Sequence, residues 1–283
     1  MVDTGRSHRP HAAHSADPRS TKRHRSGPTT TGGLLREAAL VLVVALVLAS
    51  VLRAFVVQAF VIPSGSMEDT LQCSRALDSS CESDASDRVV VSKLNTRFSG
   101  VDRGDVVVFS DPDNWLQTTS TLVAPTGARG ALRRGLQFVG LVPNDAQGHL
   151  IKRVVGIGGD RVQTDAQGRL RVNGQVLDEG GYLKPGVVPS VCSFDVTVPA
   201  GSMFVLGDNR ADSGDSRYHL TDRYAGMVPV SFVTGRAVAR VWPVSRIGGL
   251  GVPSTYDDVP DPTAASAAAP AFPAANGASA CPR

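Results

Sequence analysis

The sequence predicts a mainly β protein that follows a single N-terminal membrane-spanning helix. The first observation is an apolar run, because every residue from Ala38 to Leu52 is apolar except Ser50. The second is a series of short β-branched segments between Arg88 and Val241, each bounded by turn residues. The composition agrees, since 42% hydrophobic residues support a core while 29 glycines and 18 prolines indicate many turns.

The first 33 residues are predicted to be a disordered, basic tail that lies in the cytoplasm. They are rich in Ser, Thr, His, Arg, Pro and Gly and contain almost no large apolar residue, which is typical of disorder. Basic residues before an apolar span keep that end of the chain in the cytoplasm, so everything after the span is expected outside. These basic residues are Arg6, Arg9, Arg19, Lys22, Arg23 and Arg25.

Residues 34–57 are predicted to form the transmembrane helix. The apolar run alone is shorter than the about 20 residues that a bilayer requires, but apolar residues on either side of it lengthen it enough. Arg36 and Arg53 would then extend their charged groups to the two membrane surfaces. A secretory signal peptide is the alternative, which the long upstream tail and the lack of a convincing small-x-small cleavage site before Pro63 disfavour.

Residues 58–252 are predicted to form an extracytoplasmic β domain. Asn173-Gly174, between two short β-branched runs, is a strong hairpin signal. The predicted strand His149–Val155 carries apolar residues on both faces, so it is expected to be buried on both sides. The other predicted strands are Arg88–Val91, Asp105–Phe109, Arg161–Gln163, Arg169–Val172, Gln175–Leu177, Ser202–Leu206 and Ala237–Val241.

Two segments do not fit the strand pattern, and the sequence assigns neither a function. Residues 111–148 are interpreted as an insertion into the β domain, either a loop or, alternatively, a helix at 131–141 on the membrane surface. Residues 253–283 are rich in Pro and Ala and too broken by proline to span a membrane, so they are predicted to be a disordered tail.

The cysteines and the net charge limit the partners of the chain. Cys73 and Cys81 lie in one polar loop, where a disulfide is favoured over two free thiols outside the cytoplasm. Cys192 and Cys281 have no evident partner. A net charge of +3 gives no reason to expect nucleic acid, and no Cys/His spacing resembles a zinc site, so neither metal nor cofactor is expected.

The first candidate site directly follows the apolar run, in Ile62-Pro63-Ser64-Gly65-Ser66-Met67-Glu68. In an extended backbone the hydroxyls of Ser64 and Ser66 would point to the same side. Gly65 between them lets the chain turn and lets a substrate come close. One hydroxyl could act as a nucleophile while the other, or a backbone N–H, stabilises developing negative charge. The alternative is a Ser/Gly linker that leaves a membrane helix.

Two stretches further along the chain could complete this site. Lys152 shares a strand face with Leu150 and Val154, and loss of hydration there favours the neutral amine, which is a competent general base. The alternative is a surface lysine whose stem covers apolar neighbours. Residues 207–217 follow an apolar strand and are dense in hydrogen-bonding side chains, so they are interpreted as a polar support for the site, with a solvated loop as the alternative.

Together these stretches resemble the type I signal peptidases, a family of serine proteases with a Ser/Lys dyad. The resemblance covers most of residues 60–241, and four sequence boxes occur in the order of the family. The boxes are Ile62–Leu71, Arg103–Phe109, Lys152–Gly156 with Gly159-Asp160, and Gly207–Arg210 followed by Ser213–Arg217.

The resemblance implies a role for each matching residue. Ser66 would be the nucleophile and Lys152 the general base. The backbone N–H of Ser66 and the hydroxyl of Ser64 would form the oxyanion hole. The supporting residues would be Ser213, which holds the lysine amine, Asp215 and Arg217, which pair with each other, and Asp208, Asn209 and Arg210.

The resemblance also implies the fold, the activity and the location. The expected fold is two antiparallel β-sheet domains after the membrane helix, with the catalytic one resting on the membrane. The expected activity is removal of signal peptides from exported preproteins that carry small residues at the −1 and −3 positions. The expected partners are signal peptides and the lipid bilayer of the plasma membrane, with no nucleic acid and no cofactor, and we expect a monomer.

The sequence departs from the family pattern at three positions, and two other functions stay open. Asp69 stands where many members have proline, and Ala211 and Asp212 stand where many have Asp and Asn. One alternative is a regulatory, self-cleaving Ser/Lys protease of the repressor type, which should carry a DNA-binding module and no membrane span. The other is an anchored β domain that binds exported chains without cutting them.

Overall fold

The structure is a computed structural model, and it describes residues 31–94, 100–116 and 148–262 together with six isolated positions, 127, 128, 130, 131, 135 and 281. The predicted basic tail up to residue 30, most of the predicted insertion and most of the predicted C-terminal tail lie outside the described residues. By the distribution of its contacts the chain divides into Met1–Val44 and Ala45–Arg283.

The helix α1 covers Thr31–Phe55. Its window Gly33–Ser50 has a mean hydropathy of 2.1 and no buried residue, so the helix is long and apolar enough to cross a membrane. At 1.5 Å per residue it extends about 37 Å, more than the ~30 Å hydrocarbon core of a bilayer. Ser50 donates its hydroxyl hydrogen to the Leu46 carbonyl (2.7 Å), which satisfies the one polar side chain of the apolar run. The helix starts before the predicted residue 34 and ends before the predicted residue 57.

Eight strands form the larger antiparallel sheet in the described part of the chain. Its β1 starts at Val57, directly after the helix, which is why the predicted helix boundary was two residues too late. The strands are β1 (Val57–Val61), β2 (Arg88–Ser92), β3 (Val106–Ser110), β4 (His149–Ile157), β9 (Ser202–Leu206), β10 (Met227–Pro229), β11 (Val233–Trp242) and β12 (Gly248–Gly249). Their order in the sheet is β1-β2-β11-β3-β4-β9-β10, with β12 paired to β11.

A smaller antiparallel sheet of four strands is inserted between β4 and β9, in the order β7-β6-β5-β8. Asn173 and Gly174 both have positive φ (51° and 87°) and make the predicted tight turn between β6 and β7. The prediction of a mainly β fold with two antiparallel sheets after an N-terminal helix is therefore confirmed. The strands are β5 (Arg161–Thr164), β6 (Leu170–Val172), β7 (Gln175–Val176) and β8 (Asp195–Thr197).

The central strand β4 is buried on both faces, as its apolar pattern predicted. Seven consecutive residues from Leu150 to Gly156 are buried. Leu150 and Val154 pack into the cluster that contains Phe109 and Met203, whereas Ile151 packs on the opposite face with Phe60 and Met67. Lys152, which lies between Leu150 and Val154, is therefore carried into the interior by its strand.

The packed β body continues beyond residue 252, where the prediction placed the start of a disordered tail. Tyr256 and Val259 are 5% and 7% exposed and belong to the core cluster beside the small sheet. The Asn173 side chain donates to the Pro260 carbonyl (2.8 Å), which attaches the following residues as well. This packing was not predicted, because apolar residues are sparse in this Pro- and Asp-rich segment.

Both pairs of cysteines are joined as disulfides. Cys73 and Cys81, which were expected to pair, have Cα atoms 5.4 Å apart. Cys192 is joined to Cys281 with a Cα separation of 5.6 Å, a pairing for which the sequence offered no argument.

Candidate active site

Ser66 lies in a single 3₁₀ turn, Gly65–Met67, between β1 and the disulfide loop. Met67 is completely buried and anchors the turn in the core, and Ser66 itself is 6% exposed. Asn209 holds the turn from the other side, because its backbone N–H donates to the Ser66 carbonyl and its side-chain amide donates to the Gly65 carbonyl, both at 3.1 Å. Glycine suits position 65 because a Cβ there would lie 3.2 Å from the Asp212 carboxylate.

The amine of Lys152 lies 2.6 Å from the hydroxyl oxygen of Ser66. The two residues are far apart in the chain and meet because β4 runs beneath the nucleophile turn. When the amine is charged it donates to the hydroxyl, and when it is neutral it accepts the hydroxyl proton. The pair therefore has the geometry of a nucleophile with its general base.

Burial lowers the pKa of Lys152 from its ordinary value of 10.5 to about 8. The loss of hydration is the largest cause, since the side chain is only 4% exposed and sits among apolar neighbours. The carboxylates of Asp215, Asp212 and Asp208 oppose this effect and raise the pKa, while Arg217 lowers it further. A substantial fraction of neutral amine is therefore present near pH 8.

Ser64 precedes the turn in an extended conformation (φ −139°, ψ 160°), and its hydroxyl oxygen lies 3.4 Å from that of Ser66. The two hydroxyls are therefore close together, although Ser66 lies in a 3₁₀ turn and not in the extended segment that the spacing argument assumed. A carbonyl carbon attacked by Ser66 would place its oxygen within reach of the Ser64 hydroxyl and of the Ser66 N–H.

A buried ion pair lies directly behind the dyad. Arg153, the neighbour of the lysine on β4, forms two hydrogen bonds with the Asp208 carboxylate at 2.9 and 2.7 Å. Thr70 adds a third bond to the same carboxylate at 2.6 Å. Asp208 thereby connects the segment after the nucleophile turn to the strand of the base, and both charged groups have their partners in the interior.

The predicted pair of Asp215 and Arg217 is present and completely buried. The two guanidinium–carboxylate bonds measure 2.8 and 2.9 Å, and Asp215 also accepts the Gly207 N–H at 3.1 Å. Burial would raise the pKa of Asp215, but the charge and hydrogen bonds of Arg217 outweigh it, so the pKa lies below its usual value.

The second predicted supporting arginine, Arg210, has a partner that the sequence did not indicate. Arg210 is 2% exposed and its guanidinium contacts the Glu179 carboxylate of the small-sheet region at 2.5 and 3.2 Å. It also donates to the carbonyls of Gly207 (2.9 Å) and Pro189 (2.7 Å). Arg210 therefore connects the loop 207–217 to two segments around the small sheet.

Ser213 does not make the hydrogen bond to the lysine amine that the resemblance implied. Its hydroxyl is buried and has no hydrogen-bond partner within the described ranges. The side chain packs instead against Gly207, where any Cβ would overlap both Ser213 Oγ and the Ser66 carbonyl. In this geometry Ser213 fills space beside the dyad, and Gly207 is required for the close approach of the two loops.

Glu68 and Lys184 form a contact at this site that sequence reasoning missed. Glu68 is 3% exposed and pairs with Lys184 at 3.2 Å, while Lys184 also reaches Glu82 at 2.8 Å. A β-bridge between Asp69 and Leu183 runs alongside. No local pattern indicated this pairing, because the two segments meet only in the folded chain.

A small apolar recess adjoins the nucleophile turn. Its volume is about 10 Å³, so only a small group could enter without rearrangement. The lining residues are Phe60, Val61, Ile62, Pro63, Val108, His149, Leu150 and Ile151. A larger cavity of about 730 Å³ is lined by Thr70, Arg153 and residues 249–255, and neither this cavity nor the recess has Ser66 or Lys152 in its lining.

The fold and the site define a hydrolase of the Ser/Lys dyad class. Among the described residues, the one group with metal-ligand chemistry is Glu68 with Cys73 and Cys81, and both of its sulfurs are in a disulfide.

The chain belongs to the family described as signal peptidase, peptidase S26, whose profile matches residues 35–242. This is a family of serine proteases.

Individual relatives agree with this assignment. The chain is 38% identical to a probable signal peptidase I of Mycobacterium leprae over 77% of its own length and 79% of the relative. It is also 38% identical to signal peptidase I of Mycobacterium tuberculosis, over 84% of this chain and 79% of the relative. With signal peptidase I of Leptolyngbya laminosa the identity is 36%, over 74% and 81% of the two chains.

Proposed function

We propose that this protein is a membrane-anchored endopeptidase that removes signal peptides from exported preproteins, with Ser66 as nucleophile and Lys152 as general base. The observation that carries the proposal is the 2.6 Å contact between the two side chains in a buried site. Membership of the signal peptidase family supplies the substrate class. We further propose that the enzyme acts as a monomer.

The reaction follows from the geometry in two halves. In the first, neutral Lys152 takes the proton of Ser66 as the hydroxyl attacks the scissile carbonyl, and the Ser66 N–H and Ser64 hydroxyl stabilise the oxyanion. Lys152 then gives the proton to the leaving amine, so that the mature protein departs and the signal peptide stays bound as an ester. In the second half, Lys152 activates a water that hydrolyses this ester and regenerates Ser66.

The test of this function is cleavage of a purified preprotein by the full-length protein in detergent. We expect a product cut at the signal-peptide junction, and no product from the Ser66→Ala variant. An anchored binding domain would hold the preprotein uncut, and a self-cleaving regulator would cut only its own chain. Either result would refute the proposal.

The membership of the signal peptidase family predicts a strict size limit at the −1 position. Ala or Gly at −1 should be accepted and Leu rejected by its bulk. One or more surplus methylene groups in a tight pocket cost ~1–3 kcal/mol, or roughly 10–200-fold in kcat/KM. Peptides that differ only at −1 would measure this ratio, and equal cleavage after Ala and Leu would contradict the size limit.

The topology that we propose has the N-terminus in the cytoplasm and the β body outside, with α1 as a single span of the plasma membrane. The motivating observation is that basic residues precede the apolar segment. Protease added to intact spheroplasts should digest the β body and spare an epitope fused to the N-terminus. Digestion of the N-terminal epitope together with protection of the body would show the opposite orientation.

A further inference from the structure

Cys281 contacts the loop that supports the dyad. Cys281 is 4% exposed, and its backbone N–H donates to the Arg217 carbonyl at 3.0 Å. Its side chain is joined to Cys192, which packs against the core cluster of the small sheet. The predicted disordered tail therefore contains at least one residue that belongs to the folded body.

The other end of the disulfide is attached to the same loop. Cys192 lies next to Ser190, whose hydroxyl donates to the Cys192 carbonyl at 2.8 Å. The Pro189 carbonyl accepts a hydrogen bond from Arg210 at 2.7 Å. The disulfide thus connects a segment that contacts Arg210 to a segment that contacts Arg217. These two arginines are the ends of the Arg210–Arg217 loop.

From Arg217 a short series of contacts leads to the nucleophile. The guanidinium of Arg217 pairs with Asp215 and also donates to the Arg210 carbonyl at 2.9 Å, and both residues of the pair are completely buried. Asp215 accepts the Gly207 N–H. Gly207 packs so closely against the Ser66 carbonyl that it has no room for a Cβ.

We propose that the Cys192–Cys281 disulfide is a positioning element of the active site, which fixes the Arg210–Arg217 loop behind Ser66 and Lys152. This inference rests on the proposed function. A single backbone hydrogen bond is a weak contact by itself. The cross-link keeps Cys281 beside the segment of Cys192, so the Cys281 N–H stays on the Arg217 carbonyl.

The consequence for catalysis concerns both geometry and solvent access. Small displacements of a supporting loop lower kcat more than KM, because they misalign groups that act in the transition state. A looser loop would also admit water to Lys152, and rehydration would move the pKa of its amine up from about 8 towards 10.5. The charged groups around the amine are Asp208, Asp212, Asp215 and Arg217, and the last three lie within the Arg210–Arg217 loop.

The test compares Cys192→Ser, Cys281→Ser and the double variant with the wild type, all assayed well below their melting temperatures. We expect kcat to fall roughly ten- to a hundredfold with little change in KM. The loss should be equal in all three variants, because either single change already removes the bond. The acid limb of the pH profile should move to higher pH, which a purely structural role would not produce.

The control is the second disulfide of the chain. Cys73→Ser with Cys81→Ser removes a cross-link outside this series of contacts, so its pH profile should match that of the wild type. Wild-type kcat in all three Cys192/Cys281 variants would overturn the inference, as would additive losses or recovery of both residues as alkylatable thiols from non-reduced protein. An inactive wild type would refute the proposed function instead.

Discussion

Lys152→Met is expected to abolish cleavage while leaving the protein at least as stable as the wild type. Methionine keeps the length and the apolar stem of lysine but has no amine to accept the Ser66 proton. It also removes the cost of an ionisable group in an apolar environment, because the side chain is only 4% exposed. The measurement is thermal melting together with preprotein cleavage for the same purified variant.

The lowered pKa of Lys152 determines how the stability of the protein depends on pH. The pKa of Lys152 is about 8 in the folded protein against 10.5 ordinarily, so the unfolded chain holds the proton more tightly. The resulting penalty is absent above pH 10.5, grows as pH falls towards about 8 and is constant below. At about 1.4 kcal/mol for each pH unit, this penalty reaches roughly 3 kcal/mol at neutral pH. The melting temperature of Lys152→Met should therefore exceed that of the wild type most clearly at and below pH 8.

The activity of the wild type should rise with pH, because only the neutral amine of Lys152 can act as a base. We expect log(kcat/KM) to rise with a slope of one below about pH 8 and to level off above it. Activity at neutral pH would then come from the minority of molecules in which Lys152 is neutral.

Lys184→Met is the matched control, because Lys184 forms ion pairs with carboxylates, whereas Lys152 contacts the hydroxyl of Ser66. Lys184 contacts the carboxylates of Glu82 and Glu68, and those hydrogen bonds raise the pKa of its amine. Its stabilising contribution is present at neutral pH and is lost as pH rises through the raised pKa. We expect this variant to lose stability and to retain activity. An active, destabilised Lys152→Met variant would show that Lys152 too is structural, and would leave Ser66 without its base.

The sequence predicts the strands that carry their own pattern. Arg88–Val91, Ser202–Leu206 and the long run around His149 have β-branched or apolar residues bounded by turns, and each is a strand in the structure. The short strands Asp195–Thr197 and Met227–Pro229 were missed because, unlike the equally short β6 and β7, neither adjoins an Asn-Gly turn that marks it. Their positions depend on neighbouring strands and not on local preference.

Some features of the candidate site can likewise be predicted from neighbouring residues in the sequence, and others depend on residues that are distant in the chain. The buried lysine follows from the apolar residues on its strand. The close approach of the two serine hydroxyls depends on the 3₁₀ turn Gly65–Met67, which the assumption of an extended segment did not include. The partners of Arg210 and Glu68, in contrast, are 31 and 116 residues away in the sequence. Such pairings depend on how the small sheet packs, and no spacing within one segment can reveal them.

Ser64→Ala is expected to lower kcat roughly 100- to 1000-fold with little change in KM, which is the usual effect of removing one oxyanion-hole donor. The hydroxyl of Ser64 lies 3.4 Å from that of Ser66, close enough for both to meet the same reacting carbonyl. The Ser66 N–H would remain as the only donor of the predicted pair. Ser66→Ala, which removes the nucleophile itself, should leave no turnover by this mechanism.

The matched control for Ser64 is Ser80→Ala, a second hydroxyl beside the same turn. Ser80 Oγ lies 3.5 Å from the place where a Cβ on Gly65 would stand, whereas the hydroxyl that lies 3.4 Å from Ser66 Oγ is that of Ser64. Removal of the Ser80 hydroxyl should therefore leave kcat within a few-fold of the wild type, while Ser64→Thr, which keeps a hydroxyl, should recover part of the loss. Equal kinetics for Ser64→Ala and Ser80→Ala would mean that the oxyanion is held by the backbone alone, because a donor that acts only in the transition state must appear in kcat.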